Sequence, residues 1–114
     1  MYIYPKTVIS PLASVVIPTR NRPSALESCL DALAAQTLAR GSFEVIVVDD
    51  GSTHPIQLDP KKWAPNFELK YIRQQTTGPA GARNRGAAEA RGEYLIFTDD
   101  DCLPTPTWLE NLIA

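Results

Sequence analysis

Cysteine, histidine and methionine are scarce in this 114-residue sequence, with two, one and one copies, and the net charge is only −2. Cys29 and Cys102 stand far apart in different kinds of segment, so no disulfide between them is expected. His54, the sole histidine, lies in an irregular stretch and reads as solvated, so no catalytic dyad is built on it. There is no basic block, which argues against nucleic acid or an acidic membrane surface as a partner. Strongly apolar runs stop at about five residues, against the ~20 needed to cross a bilayer, so no transmembrane segment is expected. The opening residues, Met1 to Lys6, have neither the basic start nor the apolar core of a signal peptide. These absences point to a cytoplasmic setting, with a peripheral position at the inner face of the membrane as the alternative for a longer parent protein.

What is present is an ordinary apolar content of 44% and a regular alternation of segments. Four apolar, β-branched runs stand out: Ala13–Thr19, Phe43–Asp49, Leu69–Arg73 and Tyr94–Thr98. Continuous runs of this kind suit parallel strands covered on both faces. Between the first two, Leu26, Cys29, Leu30 and Leu33 fall on one helical stripe. Pro23 fits the first turn of that helix, Ser24 and Glu27 a capping box, and Gly41 its end. A second helix is expected over Gly78–Arg91, stopped by Gly92. Its Ala82, Gly86 and Ala90 recur every fourth residue and allow close approach to a sheet. His54–Asn66, with three prolines, reads as an irregular connection with at most a short helical turn. A last helix starts near Thr105–Glu110, with Pro106 in its first turn or Thr107 and Glu110 as a capping box, and carries no stop signal before Ala114. The chain is therefore expected to be a fragment of a longer protein, and a truncated unit is expected to self-associate through exposed apolar surface.

This order implies a Rossmann-like α/β fold: a mainly parallel sheet of four strands flanked by helices, with ligands collecting beyond the carboxyl ends of the strands. The unusual residues lie there. The first strand ends in Thr19-Arg20-Asn21, the second in Asp49-Asp50-Gly51-Ser52 and the fourth in Asp99-Asp100-Asp101, while Gly78 and Gly81 lead to Arg83. Three adjacent carboxylates repel one another unless neutralised. A divalent cation of the Mg²⁺ or Mn²⁺ type is the simplest partner, and a solvated acidic loop capping the next helix is the plain alternative. Asp49-Asp50-Gly51-Ser52 reads equally as a turn or as a carboxylate aimed at the N–H of a uracil-like base. Gly78–Gly86 lacks the Lys-Ser/Thr of a P-loop and the spacing of a dinucleotide fingerprint, yet a helix start followed by Arg83 favours an anion. Arg85 and Glu89 suit an exposed surface pair. Trp63 and Trp108 are expected to pack, and Cys102 beside hard oxygen ligands does not suggest a metal-bound thiolate.

Together, VVIPTRNRP at Val15–Pro23, VVDDGST at Val47–Thr53, Gly78–Gly92 and the following YLIFTDDD at Tyr94–Asp101 resemble the family 2 glycosyltransferases of the GT-A fold. The resemblance covers nearly the whole chain beyond Ser10. It implies an N-terminal extension at residues 1–12 and the nucleotide-diphospho-sugar-binding part of a GT-A domain at residues 13–114. Pro18, Thr19 and Arg20 would then line the nucleoside pocket, with Asp50 facing the base and Asp49 beside it. Arg83 would lie near the base or diphosphate. In the Asp-x-Asp motif, Asp99 would approach the ribose or the metal, Asp100 would belong to the nucleotide-sugar-binding site, and Asp101 would be the main ligand of Mn²⁺ or Mg²⁺. Some relatives carry an aromatic residue where Arg20 stands; a guanidinium plane can also stack on a base. The implied donor is a nucleoside-diphosphate sugar of the UDP type, transferred with inversion to an acceptor hydroxyl compound. The general base would lie downstream of Ala114. Two other readings are a GT-A-like nucleotidyltransferase, whose usual glycine-rich loop is replaced here by Pro18–Arg22, and a non-catalytic nucleotide-binding module.

Overall fold

A strand that is apolar on both sides is stable only between two covering layers, and the two middle strands of this protein meet that condition. A computed structural model describes residues 11–114. Strands β1 (Ala13–Thr19), β2 (Phe43–Asp50), β3 (Glu68–Gln74) and β4 (Tyr94–Phe97) form one parallel sheet in the order β3-β2-β1-β4. Helices α1 (Pro23–Ala34), α2 (Pro79–Glu89) and α3 (Trp108–Ile113) complete the α/β unit, with a 3-10 turn at Pro60–Lys62 in the irregular connection. Of the expected N-terminal extension, residues 1–10 lie outside the described residues. Leu12 is already tied to the sheet: its N–H donates to the Ser42 carbonyl at 2.7 Å and its carbonyl accepts from the Tyr94 N–H at 3.0 Å.

The period of two along β1 and β2 divides the core. Val15, Ile17, Val45 and Val47 face a large cluster that includes Leu26, Cys29, Leu30 and Leu33 of α1 and Leu109 of α3, while Val16, Ile46 and Val48 face Ala82 of α2. All four stripe residues of α1 are fully buried, and each leucine among them contributes about 1.5–3 kcal/mol of burial. On the other face, α2 lies so near the sheet that a Cβ on Gly86 would sit 2.3 Å from Val16 Cγ1. Ala82 is buried beside it, as the four-residue spacing of small side chains requires.

Four local expectations are corrected. Helix α1 begins at Pro23 with Arg22 as its N-cap and no side-chain cap, so Ser24 lies inside the first turn, and Glu27 pairs instead with Lys62. It ends at Ala34, and Gly41 serves the later turn into β2, where its φ is 74° and its N–H meets the Asn66 carbonyl at 3.0 Å. Thr107 does cap α3 by position but makes no side-chain cap bond, and Glu110 accepts from Thr37 Oγ1 at 2.5 Å rather than completing a capping box. Finally, covering on both faces holds for β1 and β2 but not for β4, where Tyr94, Leu95 and Phe97 are 47%, 44% and 42% exposed. Strand β4 is the edge of the sheet among the described residues, and α2 packs over β1 and β2 instead. No helix of the described residues is long and apolar enough to cross a membrane.

Candidate functional site

The strand order contains a reversal: the chain moves outward from β1 to β2 and β3, then returns across β1 to β4. Crevices open at such points, beyond the carboxyl ends of the diverging strands. Pairing of β1 with β4 stops at Val16 opposite Phe97, with one further bond from the Thr98 N–H to the Val16 carbonyl at 3.2 Å. Backbone groups two residues on point the same way, so Pro18, which has no N–H, faces the gap past the end of this ladder. A cleft of about 450 Å³ occupies that gap, lined by Pro18, Thr19, Arg20 and Arg22 from β1 and its loop, Asp50 and Thr76, Gly78, Pro79, Ala82 and Arg83 at the start of α2, and Asp99, Asp100 and Asp101.

Two loops are locked together beneath the cleft. Asn21 adopts a left-handed conformation, φ 54°, which its short polar side chain tolerates. Its N–H donates to Ser52 Oγ and its Oδ1 accepts from the Thr53 N–H, both at 2.8 Å. This double link fixes the backbone between Arg20 and Arg22, and both side chains reach the cleft.

The two aspartates that end β2 differ sharply. Asp49 is fully buried and does not line the cleft. Its Oδ1 accepts from the Ser52 N–H at 2.9 Å and its Oδ2 from the Tyr71 hydroxyl, so it holds the turn. Burial and this carboxylate push the Tyr71 phenol up, keeping the proton on the donor. Asp50 lines the cleft and also anchors the connection to α2: Oδ1 accepts from Gln74 Nε2 at 3.0 Å, the Thr77 N–H at 2.8 Å and Thr77 Oγ1 at 3.3 Å, and Oδ2 accepts from the Gly78 N–H at 2.9 Å. Burial raises the Asp50 carboxyl, but these donors outweigh it and leave the group below its ordinary value.

The acidic triplet divides its labour. Asp100 turns inward, 6% exposed, accepting from Thr19 Oγ1 at 2.8 Å and lying 3.3 Å from Arg22 Nη1. Asp99 and Asp101 point outward. Asp101 Oδ2 is 3.2 Å from Arg22 Nη2, and Asp99 Oδ1 is 3.8 Å from Arg83 Nη2. Ligand atoms of Asp99, Asp101 and Cys102 lie within 4.8 Å of one another. Two hard oxygens on the wall of an open cleft suit Mg²⁺ or Mn²⁺, which take their other ligands from phosphate and water. The repulsion inferred from the sequence is thus met in this structure by arginines. In the sequence Arg22 is visible only within the Val15–Pro23 motif, and its place just before Pro23, at the start of α1, is the signal that singles it out.

Other residues fall where expected. Cys29 and Cys102 are free thiols, and burial first, then Cys102 and the nearby carboxylates, push Cys29 up to about 12. Arg85 and Glu89 form an exposed pair at 3.7 Å, and His54 is exposed. Trp63 stacks on Phe67 with its Nε1 donating to Asp31 at 2.9 Å, and Trp108 packs against the larger core cluster.

The parallel sheet, its reversal cleft and the acidic strand end define an α/β domain of the GT-A type. The chain belongs to the family described as Glycosyl transferase family 2, whose profile matches residues 14–114. It is 41% identical over 106 residues to validoxylamine A glucosyltransferase from Streptomyces hygroscopicus subsp. jinggangensis, covering 91% of this chain and 25% of that protein. Among solved structures it is similar to S. aureus TarS 1-349 in complex with UDP-GlcNAc, with a TM-score of 0.77, 32% identity and coverage of 88% of this chain and 29% of that one. The mannosyltransferase PcManGT from Pyrobaculum calidifontis, in complex with GDP-Man and Mn²⁺, gives a TM-score of 0.72 at 32% identity, covering 84% and 29%. The chain thus spans about a quarter to a third of the length of these relatives.

Proposed function

We propose that this chain binds a nucleoside-diphosphate sugar of the UDP type through Mn²⁺ or Mg²⁺, as the donor half of an inverting glycosyltransferase. One observation carries the reading: Asp99 and Asp101 face the same cleft as Arg20, Arg22 and Arg83, at the reversal point of the sheet. A cleft that offers carboxylates for a cation beside guanidinium groups for an anion fits a metal-diphosphate ligand. The glycosyltransferase relatives, with UDP-GlcNAc or GDP-Man and Mn²⁺ named in their complexes, support the same reading.

Asp101 and Asp99 are the proposed metal ligands, and Asp100 positions them through Thr19. The metal would supply Lewis-acid stabilisation of the departing diphosphate. Pro18, Thr19 and Arg20 form the proposed nucleoside wall, with the Arg20 plane available for stacking. Asp50 retains acceptor capacity on Oδ2, which receives one donor against the roughly two lone pairs of a carboxylate oxygen, so it can meet a base N–H. Asp49 serves the pocket indirectly, through the turn. Arg83 neutralises diphosphate charge. Transfer to an acceptor hydroxyl also needs a general base, which this reading assigns to residues outside the chain.

Calorimetric titration of UDP and of GDP, with and without Mn²⁺, tests the proposal on the chain and on Asp101→Ala. Metal-dependent UDP binding that Asp101→Ala weakens at least about tenfold is expected, since loss of a charged ligand contact costs about 1.4 kcal/mol or more. Nucleotide binding indifferent to Mn²⁺, or absent from folded protein, refutes it.

A further inference from the structure

Among the described residues, Arg22 is the one cleft cation that bridges two members of the triplet, through Asp100 Oδ1 at 3.3 Å and Asp101 Oδ2 at 3.2 Å. Its backbone is not free to drift. It follows the left-handed Asn21, which is bonded to Ser52 and Thr53, and it opens α1 as N-cap. Asp100 is held independently by Thr19, so the guanidinium is not needed to keep that carboxylate in place. Asp101 is different: among the described side chains its partner is Arg22, and its side chain is 53% exposed.

We infer that Arg22 is a resident counter-ion that competes with the metal for Asp101 and thereby couples metal binding to nucleotide binding. The inference rests on the donor-site reading above. In the absence of ligands the guanidinium screens the acidic pair. A cation reaching Asp101 must give up or weaken that ion pair, which costs metal affinity. A diphosphate entering the same cleft gives the guanidinium a new anion, so that cost falls when nucleotide is bound. Metal alone is therefore held weakly, and metal and nucleotide strengthen one another. Such coupling is reciprocal: the factor by which UDP tightens Mn²⁺ equals the factor by which Mn²⁺ tightens UDP. Because Arg22 is half exposed, the ion pair to be broken is modest, and its effect on metal affinity is about two- to fivefold.

The test measures Mn²⁺ affinity by titration, with and without UDP, for the chain, Arg22→Met, Arg22→Lys and Lys61→Met, with circular dichroism confirming the fold of each. Lys61 is exposed in the 3-10 turn and lines no part of the cleft, so its variant controls for loss of one positive charge. Arg22→Met is expected to bind Mn²⁺ alone about two- to fivefold more tightly and to show a smaller enhancement by UDP, with Arg22→Lys between it and the parent. Unchanged or weaker Mn²⁺ binding in Arg22→Met overturns the inference, as does an equal gain in Lys61→Met. A parent chain that binds UDP with Mn²⁺ while Arg22→Met keeps the full mutual enhancement refutes the inference and leaves the donor site standing. A folded parent that binds neither refutes both.

Discussion

Glu44 carries a buried charge network at the end of the sheet opposite the cleft, and replacing it with glutamine gives a sharp test of how the fold is held. The carboxylate is 1% exposed on β2. Its Oε2 accepts from Ser14 Oγ at 2.6 Å and the Arg91 N–H at 2.7 Å, and its Oε1 lies 3.3 Å from Arg91 Nε and Nη2 and 3.7 Å from Lys70 Nζ. Ser14 Oγ in turn accepts from the Gly92 N–H at 2.8 Å, so this network pins the turn that delivers β4 beside β1. Glutamine keeps the volume and one acceptor oxygen but turns an NH₂ toward one set of donors. That removes one side of charge-assisted bonds, about 1.5–3 kcal/mol, part of which the half-exposed Arg91 recovers from water. A loss of about 2 kcal/mol follows, which in urea moves the midpoint by about 1.3 M at an m-value of about 1.5 kcal/mol/M. Burial pushes the Glu44 carboxyl up, but Ser14, the Arg91 N–H, Lys70 and the Arg91 guanidinium more than offset this, and its folded-state value is lowered. The folded state thus holds fewer protons than the unfolded one. The stabilisation is complete above the ordinary glutamate value of about 4.3 and fades as pH falls through the lower folded value. Parent and Glu44→Gln should differ most at pH 7 and less in acid, as pH falls below the ordinary glutamate value of about 4.3. A gap that is the same at both, or a midpoint shift below about 0.5 M at pH 7, refutes a charge-based role.

Two further outcomes test packing. Gly86→Ala drives a methyl into Val16, with a Cβ 2.3 Å from its Cγ1, and should cost about 1–3 kcal/mol in thermal unfolding despite the better helix propensity of alanine; an unchanged or raised midpoint refutes the close approach of α2. The exposed Tyr94, Leu95 and Phe97 on edge strand β4 should make the chain self-associate, and Leu95→Lys should weaken that at least about tenfold in sedimentation; a parent that stays monomeric at all concentrations refutes this.

Local patterns were legible where one segment carries the whole signal. The four-residue stripe of α1 reaches the burial it implies, and of the small residues expected along α2, Ala82 and Gly86 do so while Ala90 lies just past the helix end and is only partly buried. The caps are not legible in this way, because distant partners decide them. Ser24, Glu27, Thr107 and Glu110 have the right spacing, but Glu27 and Glu110 meet Lys62 and Thr37 from other parts of the chain, and those partners win. The two-sided burial expected of β4 failed likewise, because cover depends on where α2 lands.

At the site, the sequence by itself determined the chemical inventory: carboxylates at the end of β2 and after β4, arginines after β1 and in α2, and an order of elements that brings all of them to one rim. It did so because residue type and the turn at each strand end are local properties. Only the tertiary structure decided the roles. Asp49 faces inward to Ser52 and Tyr71 while Asp50 faces the cleft, and Asp100 takes Thr19 while Asp99 and Asp101 stay outward. The neutralising partner of the triplet was decided there too, since Arg22 meets Asp101 across 79 positions of sequence. No local pattern encodes a pairing at that distance. It exists because β4 returns to the side of β1 away from β2, where the strand ends part and opposite charges converge.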